Sequence, residues 1–249
     1  GDLFTVKLGP QHVLVLTGAQ NNQIFYKETD KALNMQEGYA FLKEAIGEVL
    51  FVAGPETYIN QRPSLQEVFK QKRMVSYIQA MNVEVQRWLD RLGQSGETDL
   101  TQDMLQLTQF VAGRAFIGPN FEQELGPDFW GHYAAISAAI NPLLPQNLPL
   151  PVFWRRDRAK KKIKTILSGI IQKRREHPEQ YDDLITTLLS TPMKDGTIMS
   201  DEEIVTMFMG LIFAGHETTA GQAAWLLALL LQHGERGNLT LPVRGLCQP

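Results

Sequence analysis

Cysteine is almost missing from this sequence. Cys247 is the single one in 249 residues, which excludes an intrachain disulfide framework and suits a reducing compartment. An excess of charge of one sign is missing too. Twenty-four Lys and Arg against 27 Asp and Glu leave a formal charge of −3, which gives no ground for nucleic acid as the main partner. His12, His132, His177 and His233 show no metal-ligand spacing and read as surface or turn residues, so no metal ligand is assigned. No internal repeat or low-complexity tract interrupts the chain. No leader peptide is recognisable either: Gly1-Asp2-Leu3-Phe4 runs straight into a strand pattern, and an upstream anchor would lie outside this sequence. What is present is a chain with 43% apolar and 20% charged residues, long enough to bury one sizeable core.

Leu3 to Leu8 and Val13 to Leu16 read as two strands joined by Gly9-Pro10-Gln11-His12. Helical periods follow. Thr17 can cap a short helix to about Lys27, and Gly38 to Gly54 reads as an ordered loop with a helical turn. Met74, Ile78, Met81, Val85, Trp88 and Leu92 recur at three and four, an amphipathic helix ended by Gly93. Further helices are predicted from Thr101, over Asp128 to Ile140, from Phe153 to Glu176, near Asp182 to Ser190, and from Asp201 onward. Pro142, Pro145, Pro149 and Pro151 enforce an extended link before the third of these. The fold class is mostly α with a small β region at its start. Trp130, Trp154 and Trp225 are expected in core packing.

The last helix carries the chemistry. Ser200 and Glu203 form a capping box, and Asp201 and Glu202 suit the positive end of the dipole. Ile204 to Leu231 is apolar nearly all round and spans about 40 Å as a helix. Such a segment is a membrane span or the core helix of a large domain. Its centre, Ala214-Gly215-His216-Glu217-Thr218-Thr219-Ala220-Gly221, places ionisable groups where a bilayer would penalise them, which favours the core helix. Thr218 can donate to the carbonyl of Ala214 and locally open the helix beside an acid. An opened turn suits holding a small polar ligand and delivering protons to it.

Gly210-Leu211-Ile212-Phe213-Ala214-Gly215-His216-Glu217-Thr218 resembles the central-helix signature of the cytochrome P-450 haem monooxygenases. The resemblance implies Thr218 as oxygen activator and Glu217 as proton-relay acid. It implies Ala214 and Gly215 as a groove against haem and substrate, with Leu211 and Phe213 beside it. Phe153-Trp154-Arg155-Arg156-Asp157-Arg158-Ala159, the preceding Leu148-Pro149-Leu150-Pro151, and Tyr39-Ala40-Phe41-Leu42 to Gly47-Glu48-Val49-Leu50-Phe51 are similar to sterol 14α-demethylases. There the likeness implies Tyr39 at a haem propionate and Phe41 in the substrate pocket. The likeness covers residues 1–233, expected to be the N-terminal part of a single domain cut after its central helix. Sterol demethylases usually carry histidine before the threonine, whereas Glu217 stands here; a related enzyme acting on another terpenoid or lipid-like molecule fits equally. The partners implied are a small hydrophobic substrate, O₂ and an electron-donor redox protein, with a cytoplasmic or membrane-associated location.

Between Arg155 and Arg175 stand ten basic residues and one acid, Asp157. With Ile163, Ile166, Leu167, Ile170 and Ile171 on one face, the charges are expected on the solvated face opposite, with peripheral contact to anionic lipid the next reading. Arg62, Lys70, Lys72 and Arg73 lie near the helix that, in the family, offers cations to the haem propionates. The family's cysteine loop has Phe seven residues before the ligand, Gly four before and Gly two after. Around Cys247 those places hold Thr240, Val243 and Pro249, so Cys247 is not expected to bind haem iron. The Glu-x-x-Arg pair of the family is absent as well. Residues 234–249, aperiodic and rich in Gly and Pro, are expected to be an out-of-frame tail, which leaves this chain without its own thiolate. Two other classes remain open: a non-enzymatic helical lipid-binding or interaction protein, and a membrane protein anchored by residues 204–231.

Overall fold

Strands β1 (Leu3–Leu8) and β2 (Gln11–Leu16) pair antiparallel with Leu8 opposite Gln11. That register leaves two linking residues rather than four and puts Gln11 and His12 inside β2. Gly9 takes φ +59, a conformation that favours glycine in so short a link. The computed structural model describes residues 3–9, 11–29, 31–33, 35–49, 52–92, 97–146 and 148–232. Gly93, His233, Cys247 and the expected out-of-frame tail lie outside them.

Helices follow the hairpin: α1 (Ala19–Glu28), α2 (Met35–Gly38), α3 (Lys43–Ile46), α4 (Pro55–Val68), α5 (Gln71–Leu92), α6 (Leu100–Ile117), α7 (Phe121–Leu125), α8 (Phe129–Ser137), α9 (Pro151–Glu176), α10 (Leu184–Ser190) and α11 (Asp201–Gln232). The loop expected from Gly38 to Gly54 holds a 3₁₀ turn, Ala40–Leu42, before α3. Helix α4 has no clear apolar period, because the residues it buries include Gln61 and Ser64. The Ser64 hydroxyl donates to the carbonyl of Thr191 at 3.1 Å, so a polar contact does the work of an apolar stripe.

The core gathers around the first half of α11. Phe208 meets Phe116 and Phe129 edge-on, with ring centroids 6.2 and 6.4 Å apart. Gly113 on α6 is required by close approach: a Cβ there would stand 2.2 Å from the Phe121 ring. The capping box forms as expected, Ser200 N donating to Glu203 Oε2 at 2.9 Å and Glu203 N to Ser200 Oγ at 3.3 Å. A smaller cluster of Met104, Leu107 and Ala220 joins α6 to the second half of α11. No helix among the described residues is long and apolar enough to cross a membrane, α11 included. Trp130 packs against the core. Trp154 and Trp225 correct the expectation of core packing: they are 63% and 68% exposed.

Helix α9 also corrects its expected charge pattern. Ile163, Leu167, Ile170 and Ile171 are buried, but so are Arg156 and Arg174. Arg156 donates to Asp157 at 2.8 Å and to the Gln146 side chain at 3.0 Å. Arg174 donates to Asp183 Oδ2 at 2.8 Å, to both oxygens of Glu124 and to the Ile117 carbonyl at 3.3 Å, and its guanidinium lies 3.8 Å from the Tyr181 ring centroid. Burial opposes its charge, yet Glu124 and Asp183 outweigh burial and raise its pKa. The buried Asp183 and the half-buried Glu124 are expensive to leave without this cation. Replacing Arg174 by Met is therefore expected to lower unfolding free energy by about 3–5 kcal/mol in urea titrations. An unchanged midpoint would show that the network is not structural.

Candidate active site

Four residues predicted from the central helix share one face of α11: Leu211, Ala214, Gly215 and Thr218, at three- and four-residue spacing. The face starts closed and opens along its length. Leu211 is 6% exposed, Ala214 half-buried, and Gly215 and Thr218 exposed. Where a Cβ would stand on Gly215 there is open space. The Thr218 hydroxyl donates to the Ala214 carbonyl at 2.6 Å, as its position predicts. The helix does not open there, however; α11 stays α-helical from Asp201 to Gln232. With its hydrogen committed to Ala214, the Thr218 oxygen presents lone pairs outward and is set to accept from a ligand.

Glu217 points elsewhere. Successive residues on a helix are about 100° apart, so Glu217 does not share the Thr218 face. Its carboxylate accepts from the Ser137 hydroxyl on α8. Around it lies a polar hollow of about 640 Å³ between α6, α8 and α11, whose walls include Gln106, Gln109, Tyr133 and His216. The Tyr133 hydroxyl, buried and without a hydrogen bond, is pushed above the ordinary phenol range by burial first and the nearby Glu217 charge second. Acid and hydroxyl are thus neighbours in sequence that serve different spaces.

Phe41 packs against the main core and Tyr39 is exposed at the surface, their ring centroids 6.4 Å apart. Phe213 also packs against the core. Of Arg62, Lys70, Lys72 and Arg73, Arg73 is paired with Asp182 at 2.9 Å and Lys70 with Glu67. Among the described residues no group of His, Cys, Asp and Glu could hold a metal ion.

His216 is the residue that motif reading passed over. It is 2% exposed, its Nε2 lies 3.2 Å from the Leu105 carbonyl, and its ring stacks on Trp130 with centroids 6.2 Å apart. Its spacing gives the signal, four residues after buried Ile212 and four before buried Ala220. Burial lowers its pKa, with Glu217 and the Leu105 carbonyl opposing in part. The folded state then binds fewer protons than the unfolded state as pH falls below the free imidazole value of about 6.5, and stability declines there. In NMR titration the His216 ring should keep its neutral-form shifts below that pH; a midpoint at or above it would refute this account.

Comparison with known proteins places the geometry. The chain is 30% identical over 242 residues to the sterol 14alpha-demethylase of Mycolicibacterium vanbaalenii, covering 94% of this chain and 53% of that protein. It is 29% identical over 231 residues to the lanosterol 14-alpha demethylase of Bos taurus, covering 91% and 46%. The chain thus spans about half the length of the curated relatives it matches. The solved structure of retinoic acid-bound cyanobacterial CYP120A1 superposes with TM-score 0.81 at 23% identity, covering 99% of this chain and 56% of that one, a likeness of fold. The profile of the Cytochrome P450 family matches residues 1–236, and the chain belongs to that family.

Proposed function

We propose that residues 1–233 are the N-terminal part of one haem-monooxygenase domain, oxidising a hydrophobic sterol-, terpenoid- or lipid-like molecule with O₂ and electrons from a redox protein. The observation that carries this is the open face at Ala214 and Gly215, bordered by an anchored Thr218 hydroxyl, in a chain of this family. A flat group can lie against that turn without meeting a side chain at Gly215. The described residues offer one open face that a haem could lie against and contain no cysteine to ligate its iron. When bound, haem supplies the oxidation chemistry, and the protein contributes position and electrostatics.

The chain's own residues would act as follows. Thr218 accepts a hydrogen bond from a polar ligand on the open face, since its proton is held by Ala214. The Glu217 carboxylate, on the other side of the same turn, is oriented by Ser137 and faces the polar hollow, where it can pass a proton to or from water. Leu211 supplies an apolar wall at the closed end of the face, while Phe213, about 200° away around α11, packs against the core.

A chimera of residues 1–232 with the C-terminal half of the M. vanbaalenii relative is the direct test. It should bind haem and show the reduced, CO-bound absorption of thiolate ligation; absence of that band in a folded chimera would count against the reading. In it, Thr218→Ala should keep the band while product per electron falls at least about tenfold, equivalent to about 1.4 kcal/mol of barrier. The chain as it stands, given haem, reductant and CO, should lack the thiolate band. Its appearance would make Cys247 a ligand after all.

A further inference from the structure

A second cavity lies nearer the start of α11 than the polar hollow. It occupies about 380 Å³ between α3, α8, α9 and α11. Its floor is made by buried Ile46, Ile136, Ile163 and Met209 with half-buried Val205. Gly47, at φ +84, closes one end, where a Cβ would stand 2.5 Å from Thr206 Cγ2. The rim is charged. Of its carboxylates, Glu202 is paired with Lys164 at 3.3 Å and Asp157 with Arg156 at 2.8 Å. Lys160 donates to the backbone carbonyl of Glu44, and neither it nor Lys161 forms an ion pair with a carboxylate among the described residues. An apolar trough thus ends at ammonium groups whose charge is not neutralised at contact distance.

We propose that this cleft binds an amphiphile bearing one carboxylate at the end of a hydrocarbon body. The hydrocarbon lies on Ile46, Ile136, Val205 and Met209, and the carboxylate meets the ammonium of Lys160, with Lys161 beside it. Charge and shape select the class together. A neutral lipid leaves the ammonium without a partner, and a small anion leaves the floor uncovered. Burial already disfavours the charged form of Lys160, with Arg156 adding to this against Glu44 and Asp157, so an arriving anion relieves a cation in partial want of solvation.

The cleft is separate from the open face. Glu202, Val205, Thr206 and Met209 form one stripe of α11, and the next residue along it is Phe213, beside Ala214. Met209 and Ala214 are five residues apart, about 7.5 Å of rise. At about 100° per residue they also stand roughly 140° apart around the helix, so the cleft lies on the side of α11 away from the open face. The proposal stands apart from the monooxygenase reading, because binding is measured without haem.

Isothermal titration of the whole chain with dodecanoate and with dodecanol separates the terms. Dodecanoate should bind more tightly than dodecanol, and Lys160→Gln should weaken dodecanoate about tenfold while leaving dodecanol unchanged. Lys173→Gln, an exposed cation on α9 outside the cleft, should change neither. Val205→Trp, which fills the trough, should weaken both ligands, with far-UV circular dichroism confirming the fold. Equal affinity for the two ligands, or a Lys160→Gln variant that binds dodecanoate as the parent does, overturns the proposal. Should the chimera above fail spectrally while these titrations succeed, the cleft stands and the monooxygenase reading falls; the reverse outcome removes the cleft alone.

Discussion

A single guanidinium ties four parts of this fold together. Arg174 on α9 reaches the C-terminal carbonyl of α6, the carboxylate of Glu124 on α7 and the carboxylate of Asp183, which also caps α10 through Thr186 N at 2.9 Å. Helices α6 and α10 in turn pack against α11. The placement of the central helix therefore depends on a charge that is 0% exposed. An apolar residue of equal volume could fill the space, but it could not satisfy Glu124, Asp183 and the Ile117 carbonyl at once. What this network contributes is one relative placement of these helices among the several a leucine-rich interface would tolerate.

From that placement the functional geometry follows. With α6 and α8 fixed against α11, consecutive residues of the signature are dealt to different environments: His216 inward onto Trp130, Glu217 sideways to Ser137, Thr218 outward. A short motif thereby serves a core, a polar hollow and an open face. Separation of the acid from the hydroxyl also keeps a carboxylate off the apolar face that a hydrophobic molecule would approach, where an unpaired charge would cost several kcal/mol.

Much of this was legible in the sequence where local physics decides. Period-three-and-four stripes placed α5, α6, α9 and α11; Ser200 and Glu203 marked where the last begins; Thr218 announced its bond to Ala214. Tertiary partners were not legible. Helix α4 buries Gln61 and Ser64, so an apolar period does not reveal it. Arg156 and Arg174 read as solvated cations because their carboxylate and amide partners lie on other elements, Glu124 being 50 residues away. Trp154 and Trp225 read as core residues from their type, though each falls on the outer side of its helix. The expected opening beside the Thr218–Ala214 bond failed for a related reason: α6 packs along α11, which stays α-helical through that turn.

Helix α11 is closed at its start and open at its end. Ile204, Phe208 and Ile212 are 0% exposed, whereas Trp225, Leu226 and Leu231 range from 59% to 77%. Amide protons in the first stretch can exchange with solvent only when the whole core opens; those in the second need only local fraying. One continuous rod of backbone hydrogen bonds is thus two kinetic units, joined at the turn that carries Ala214 to Thr218. The turn from Ala214 to Thr218 stands at that boundary, held on one side by the core that fixes its geometry.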